Sequence, residues 1–206
     1  MRVMLVLDHP YGADAWQDVP HRRSLTSALA HSAVVGLERA GHEVDFVDLH
    51  ADGFDPVMSA EDLAAWRAGT VVDPQTADYQ RRLLAADHLV LAFPVWWEAM
   101  PALTKGFLDK VLGKGIVYRQ GKGLRPMTHL TRLTGVTLVT VMATPTPAYR
   151  AVLGNPVVKI VFRGTFRKIG VRNLRWLNHG ALDRTTLQRR RRALARIEQH
   201  FATLTR

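Results

Sequence analysis

Two adjacent tryptophans, Trp96 and Trp97, stand between an apolar run and a helical stretch in the segment from Leu89 to Leu112. Two large rings on one loop suggest a surface for a flat, conjugated ligand, and capping of the core is the other use such rings have. A second group, Thr144, Thr146 and Tyr149, follows another apolar run and offers two hydroxyls and a phenol. A third, His21-Arg22-Arg23-Ser24-Leu25-Thr26, joins basic side chains and hydroxyls at the start of an expected helix. Free N–H groups and the helix dipole favour an anion there, most simply a phosphate. An ordinary capped helix with solvated arginines would carry the same residues.

These groups need elements to hold them. Leu89-Val90-Leu91-Ala92-Phe93 has no polar alternation, the pattern of a strand buried on both faces of a parallel sheet. Pro94 lacks an N–H and is expected to stop the ladder. Pro101 suits the first position of a helix, whose stripe Leu103, Phe107, Leu108, Val111 and Leu112 faces the core. Val3 to Leu7 is a strand of the same kind. A helix from about Ser24 to Ala40 follows, with Ser24 as N-cap and Gly41 as its stop. His42 to Leu49 then completes a β-α-β unit with a right-handed crossover.

Further along, a short helix is expected over Ala60 to Trp66 and a longer one over Pro74 to Asp87. Gly113 to Thr134 reads as irregular. Val136 to Ala143 is a fourth strand, ending in a loop that contains Thr144 and Tyr149. Pro156 to Gly170 shows helical periodicity, with Lys159, Arg163 and Arg167 on a second face that is either solvated or meets an anionic cofactor. A short fifth strand is expected within Val171 to Asn178. The last helix begins near Asp183 and should bury Leu187, Leu194, Ile197, Phe201 and Leu204. Arg190 and Arg191 fall beside that stripe, where their stems can cover the core or lie at a subunit contact.

The 206 residues, 47% of them hydrophobic, suffice for one α/β domain spanning 1–206. Strands alternating with helices imply a three-layer doubly wound fold. The linker from Pro10 to Arg23 is long for a βα connection and holds only Gly12, so it is not the glycine fingerprint of a dinucleotide fold. The flavodoxin-like five-stranded parallel sheet of order 2-1-3-4-5 fits better, with ligands at the carboxyl ends of its strands. The absence of cysteine excludes disulfides, thiolate catalysis and cysteine metal sites, and no metal ligand set is assigned. No apolar run is long enough to span a bilayer and the chain opens directly into a strand, so no membrane insertion and a cytoplasmic location are expected. The formal charge of +10 favours anionic ligands. The arginines are scattered over loops and helices without a recognised motif, which argues against nucleic acid as partner.

The sequence resembles the NAD(P)H:quinone oxidoreductases of the flavodoxin-like fold, which include the modulator-of-drug-activity proteins and the ancillary subunits of potassium-efflux systems. The matching stretches are His9-Pro10, Gly41-His42-Glu43-Val44 with Asp48-Leu49, Gly53-Phe54-Asp55-Pro56, and Phe93-Pro94-Val95-Trp96-Trp97 with Met100-Pro101-Ala102, Lys105-Gly106-Phe107 and Asp109-Lys110-Val111. The resemblance implies a non-covalent flavin, FAD or FMN, NAD(P)H as co-substrate, a quinone or similar small-molecule acceptor, and a homodimer. It implies that His9, Ser24, Leu25 and Thr26 form the flavin phosphate turn. By the same token Pro94, Val95, Trp96 and Trp97 lie under the isoalloxazine, and Thr144 and Tyr149 lie at its pyrimidine edge. Tyr149 is then the expected catalytic residue, a donor towards charge that builds up during hydride transfer.

Three departures stand out. Tyr11 to Arg23 lengthen the turn between the His-Pro pair and the serine. Pro145 and Pro147 replace consecutive glycines, and Asn155 stands near where some relatives place a proton-transferring histidine. The alternative that part of the family supports is a flavin- and nucleotide-binding regulatory subunit of a membrane transport system.

Overall fold

The computed structural model describes residues 1–17, 23–119, 121 and 126–205. Its core is a five-stranded sheet of β1 (Arg2–Leu7), β2 (Glu43–Asp48), β3 (His88–Pro94), β6 (Gly135–Val141) and β7 (Asn173–His179), in the order β2-β1-β3-β6-β7. Every adjacent pair is parallel. This is the expected 2-1-3-4-5 order once the sheet strands are numbered among themselves. A two-stranded antiparallel ribbon, β4 (Tyr118–Arg119) with β5 (Met127–Thr128), lies within the stretch expected to be irregular.

The continuous apolar strands are explained by the two faces they serve. Val3, Leu5, Leu7, Val90, Ala92, Val139 and Val141 face α1 (Leu25–Arg39) and α7 (Leu187–Ala202). The alternate residues Met4, Val6, Leu89, Leu91, Phe93, Val136 and Leu138 face the other layer. That layer holds α2 (Ala60–Ala68), α3 (Pro74–Ala85) and α4 (Ala102–Val111), with α5 (Thr146–Ala151) and α6 (Pro156–Val158) after β6. Period-two side-chain alternation lets a strand with no polar residue feed two cores at once. Phe107 is fully buried between the Phe54 and Tyr79 rings, at centroid distances of 6.4 and 5.8 Å. Truncating such a residue to alanine costs about 3–5 kcal/mol.

Two glycines show how closely the layers approach. A Cβ on Gly36 of α1 would lie 2.3 Å from the Glu198 carbonyl oxygen of α7. One on Gly106 of α4 would lie 2.4 Å from Pro56 Cα, so the Asp55-Pro56 turn seats directly on α4. Lys110, buried in α4, secures the same segment by donating to the Asp55 carbonyl at 3.2 Å and pairing with Asp73 at 3.2 Å and Asp62 at 3.6 Å.

The helical periodicity over 156–170 resolves differently from the expected single α-helix. After α6 the chain continues as a π-helix, Lys159–Phe166. Its buried residues Val161, Phe162 and Phe166, with Val157 of α6 before and Val171 beyond, recur at spacings of four and five, which suits i→i+5 winding. Lys159, Arg163 and Arg167 are exposed. The last helix also begins later than expected, after a 3₁₀ turn at Leu182–Arg184, and Leu187 is 64% exposed instead of buried.

Candidate functional site

α1 starts at the carboxyl end of β1. Ser24 caps it, its Oγ accepting the Ser27 N–H at 3.0 Å. The N–H groups of Leu25 and Thr26 have no partner among the described residues. That leaves two donors and the positive end of the helix dipole facing one place. His9 stands beside it. Its Nδ1 accepts the Tyr11 N–H at 3.2 Å, which puts the ring proton of the neutral form on Nε2 and leaves it able to donate. Burial, and secondarily His50, hold the His9 pKa below its ordinary value, while Asp8 and Asp48 pull it back up. Asp8, at the end of β1, is buried and accepts Thr104 N at 2.7 Å, Thr104 Oγ1 at 2.6 Å and His50 Nε2 at 3.1 Å. It thereby ties the start of α4 to the floor of the site.

The tryptophan loop forms a tight reversal. β3 runs on through Pro94, which sits opposite Val141, and Val95 N–H donates to the Val141 carbonyl at 2.8 Å. Pro94 therefore does not end the pairing: a proline ladder needs only its carbonyl, and the next N–H takes over. Trp96 and Ala99 then exchange both backbone hydrogen bonds at 3.0 Å, with Trp97 (φ 48°) and Glu98 (φ 62°) between them. Positive φ at both central residues is the type I′ pattern that normally selects asparagine and glycine. Trp97 and Glu98 N–H groups have no partner among the described residues.

Between these two features lies a cleft of about 760 Å³. Of the expected site residues, His9, Ser24, Leu25, Thr26, Pro94, Val95 and Trp96 line it. Trp97, Thr144 and Tyr149 do not. The Trp97 ring is 100% exposed, because an αL residue at the tip of the reversal projects away from the strand that positions Trp96. Thr144 donates its hydroxyl to Glu98 Oε1 at 2.8 Å. Tyr149, on α5 and not on a loop, has no exposed surface. It donates to the Glu98 carbonyl at 2.9 Å and accepts Val157 N–H at 3.1 Å, and burial raises its pKa. The expected catalytic phenol is thus a buried brace. Asn155, in αL conformation before α6, has its Oδ1 buried, as Glu98 has its Oε2, and neither atom has a partner among the described residues.

The cleft has further walls. Leu182, Leu187 and Leu194 supply apolar surface, and Arg190 and Arg191 of α7 join Arg23 at its rim. Trp16, on a 3₁₀ turn over Ala13–Gln17, lines it as well. The run Arg189 to Arg192 beside an apolar stripe was the sequence signal for the arginines, and Trp16 is the single tryptophan of the long linker. His21 and Arg22 lie outside the described residues. A separate groove of about 560 Å³ between α2, α4 and the π-helix contains none of the expected site residues. No helix among the described residues is long and apolar enough to cross a membrane.

Comparison with known proteins agrees with this architecture. The family model for the flavodoxin-like fold matches residues 1–201. The chain belongs to the flavodoxin-like fold family. It is 33% identical over 106 residues to an uncharacterized NAD(P)H oxidoreductase, YcaK, of Escherichia coli (strain K12), covering 51% of this chain and 54% of that one. The chain spans about half the length of the curated relatives it matches. An NAD(P)H:quinone oxidoreductase from Methanothermobacter marburgensis superposes with a TM-score of 0.84 at 20% identity, covering 100% of this chain and 99% of that one. An FMN-dependent NADH-azoreductase from Bacillus anthracis str. Ames Ancestor, in complex with FMN, superposes with a TM-score of 0.76 at 10% identity, covering 98% of each.

Proposed function

We propose that this flavodoxin-like protein is a flavin-dependent oxidoreductase that takes hydride from NAD(P)H and passes it to a quinone or similar small acceptor, working as a homodimer. The observation that carries this is one continuous cleft joining the open N-terminus of α1 to the Val95–Trp96 reversal. Anion-binding groups stand at one end and apolar and aromatic walls at the other, which matches a molecule with phosphate at one end and a flat ring at the other. The donor set fits a flavin: the Leu25 and Thr26 N–H groups, the Ser24 hydroxyl and His9 Nε2 for phosphate, and Val95, Trp96 and Met142 against the ring.

When bound, the flavin supplies the hydride chemistry. The chain's own residues bind and orient it. The N–H groups of Leu25 and Thr26 hold the phosphate end, and the reversal closed by the Trp96–Ala99 pair keeps Val95 and Trp96 in place against the ring. Arg23, Arg190 and Arg191 supply enough positive charge for the diphosphate of FAD, so FAD is the preferred flavin. The exposed Trp97 and Val152 give the homodimer an apolar surface to cover.

Titration of the purified protein with FAD and FMN tests this directly. Bound flavin should lose fluorescence next to Trp96, and the complex should oxidise NADH or NADPH when a quinone is added. If neither flavin binds, the proposal fails.

A further inference from the structure

The long connection between β1 and α1 carries an aromatic pair for which hydride transfer has no use. Trp16 lies flat on His31 of α1, with ring centroids 3.7 Å apart and planes within 2°. Trp16 remains 42% exposed and lines the cleft. His31 does not; it lines a smaller hollow of about 260 Å³ on the other side of the indole. The pair is thus a ring with a rigid backing, standing between two cavities.

Its support is fixed by the site itself. Ala13 N–H donates to Asp48 Oδ2 at 2.6 Å, Ser27 Oγ donates to the Gly12 carbonyl at 2.8 Å, and Ser24 N–H donates to the Ala15 carbonyl at 3.2 Å. The last bond links the residue before Trp16 to the N-cap of α1. The indole is therefore positioned relative to the phosphate-binding turn by one hydrogen bond and one peptide unit. Trp96, on the β3 reversal, lines the same cleft.

We infer that the Trp16–His31 stack is a platform for the purine of a dinucleotide flavin, and that it makes the cleft selective for FAD over FMN. This rests on the flavin reading of the cleft. In FAD the adenosine is joined through a second phosphate, and in the extended form the purine lies on the far side of the phosphates from the isoalloxazine. Trp16 is tied to the phosphate turn through the Ser24–Ala15 hydrogen bond, while Trp96 belongs to the β3 reversal that the flavin reading sets against the ring. Arg23, Arg190 and Arg191 at the same rim suit two phosphates better than one. A mononucleotide flavin ends at its phosphate and has nothing to place on the indole. The backing imidazole restricts the indole before the ligand arrives, which lowers the ordering cost of stacking.

The test is the affinity of the full-length chain for FAD and for FMN, measured separately in wild type, Trp16→Leu, Trp16→Phe and His31→Ala. Trp16→Leu should weaken FAD about five- to 150-fold, the span that base–aromatic stacking of ~1–3 kcal/mol corresponds to. FMN affinity should stay within about twofold, since stacking on the purine is the only contact removed. Trp16→Phe should restore most of the FAD affinity, and His31→Ala should fall between. Unchanged FAD affinity in Trp16→Leu overturns the platform and leaves the flavin site standing. Equal losses for FAD and FMN also overturn it, because the indole would then be a general support of the phosphate turn. Wild-type protein that binds neither flavin overturns the platform and the flavin site together.

Discussion

Tyr149 donates its phenol proton to the carbonyl oxygen of Glu98 at 2.9 Å, and its oxygen accepts the Val157 N–H at 3.1 Å. One buried hydroxyl therefore ties the tip of the tryptophan reversal to the first turn of α6. Tyr149→Phe leaves a carbonyl and an N–H without their partner, which costs about 1–3 kcal/mol and several degrees of melting temperature. The flavin should bind more weakly because the reversal is less well held, while hydride transfer in the flavin-saturated variant proceeds at close to the wild-type rate. Urea unfolding and stopped-flow measurement of both half-reactions check this. A half-reaction slowed tenfold or more with unchanged stability would return Tyr149 to the chemistry.

The reversal that Tyr149 braces is strained. Trp97 and Glu98 both hold positive φ, at an expected cost of about 1–2 kcal/mol for each non-glycine residue. Trp97→Asn keeps the turn with a residue that tolerates αL and should stabilise the protein by up to about 1 kcal/mol in denaturant unfolding. Its acceptor KM should rise if the exposed ring meets the acceptor or a second copy, as strain retained at a functional turn suggests. A stability equal to or below wild type would show that the ring contributes more to folding than its exposure indicates.

The strands were legible because burial on both faces leaves β1, β3 and β6 almost wholly apolar, with Arg2 and His88 at strand starts and Thr137 and Thr140 inside β6, and helix ends were marked by Ser24, Gly41 and Pro74. The site was half legible. His9, Ser24, Leu25, Thr26, Pro94, Val95 and Trp96 line the cleft, since each adjoins a strand end or helix start that the pattern locates. Tyr149 lies in the core and not along the cleft, because a phenol four residues after a proline can turn either way and its bonds to Glu98 and Val157 decide which. Arg190, Arg191 and Trp16 come to the cleft by tertiary packing of α7 and of the long linker, and no local periodicity encodes that. The motif Lys105-Gly106-Phe107 was legible as a motif, yet its work is packing: Gly106 admits Pro56 and Phe107 receives Phe54.

Acid should weaken the fold through His88. Burial first, then the neighbouring His200 and His42, lower its pKa from 6.5 to about 4. His88 is buried on β3 with Nε2 2.9 Å from Thr137 Oγ1. A lowered histidine pKa means the native state resists protonation, so this contribution is fully present above pH 6.5 and is lost as pH falls towards 4. Between pH 7.5 and 4.5 wild type should lose ~2–3 kcal/mol more than His88→Gln, which has nothing to protonate there. Unfolding free energies at the two pH values check this. Equal losses in both proteins would place the acid sensitivity elsewhere, for example in Asp45, Asp62 and Asp73, whose pKa values are lowered and which lose stability as pH falls further.

Arg190 and Arg191 test whether the charge at the cleft rim acts locally. They lie on the first turns of α7 and line the cleft, whereas Arg163 and Arg167 of the π-helical segment are equally exposed and do not. Replacing either pair with alanine removes the same formal charge. Local contacts to a diphosphate are charge-assisted hydrogen bonds, and losing them should weaken FAD roughly tenfold or more at low salt. The salt dependence of binding should flatten too, because fewer ions are exchanged when the ligand enters. The Arg163→Ala, Arg167→Ala pair changes only the long-range field, which screening reduces beyond about 10 Å at 0.1 M salt. Calorimetric titration of FAD into both double variants at two salt concentrations separates the cases. If the two lose affinity equally, the arginines of α7 act only through net charge, and the diphosphate must be held by the N-terminus of α1 and Arg23.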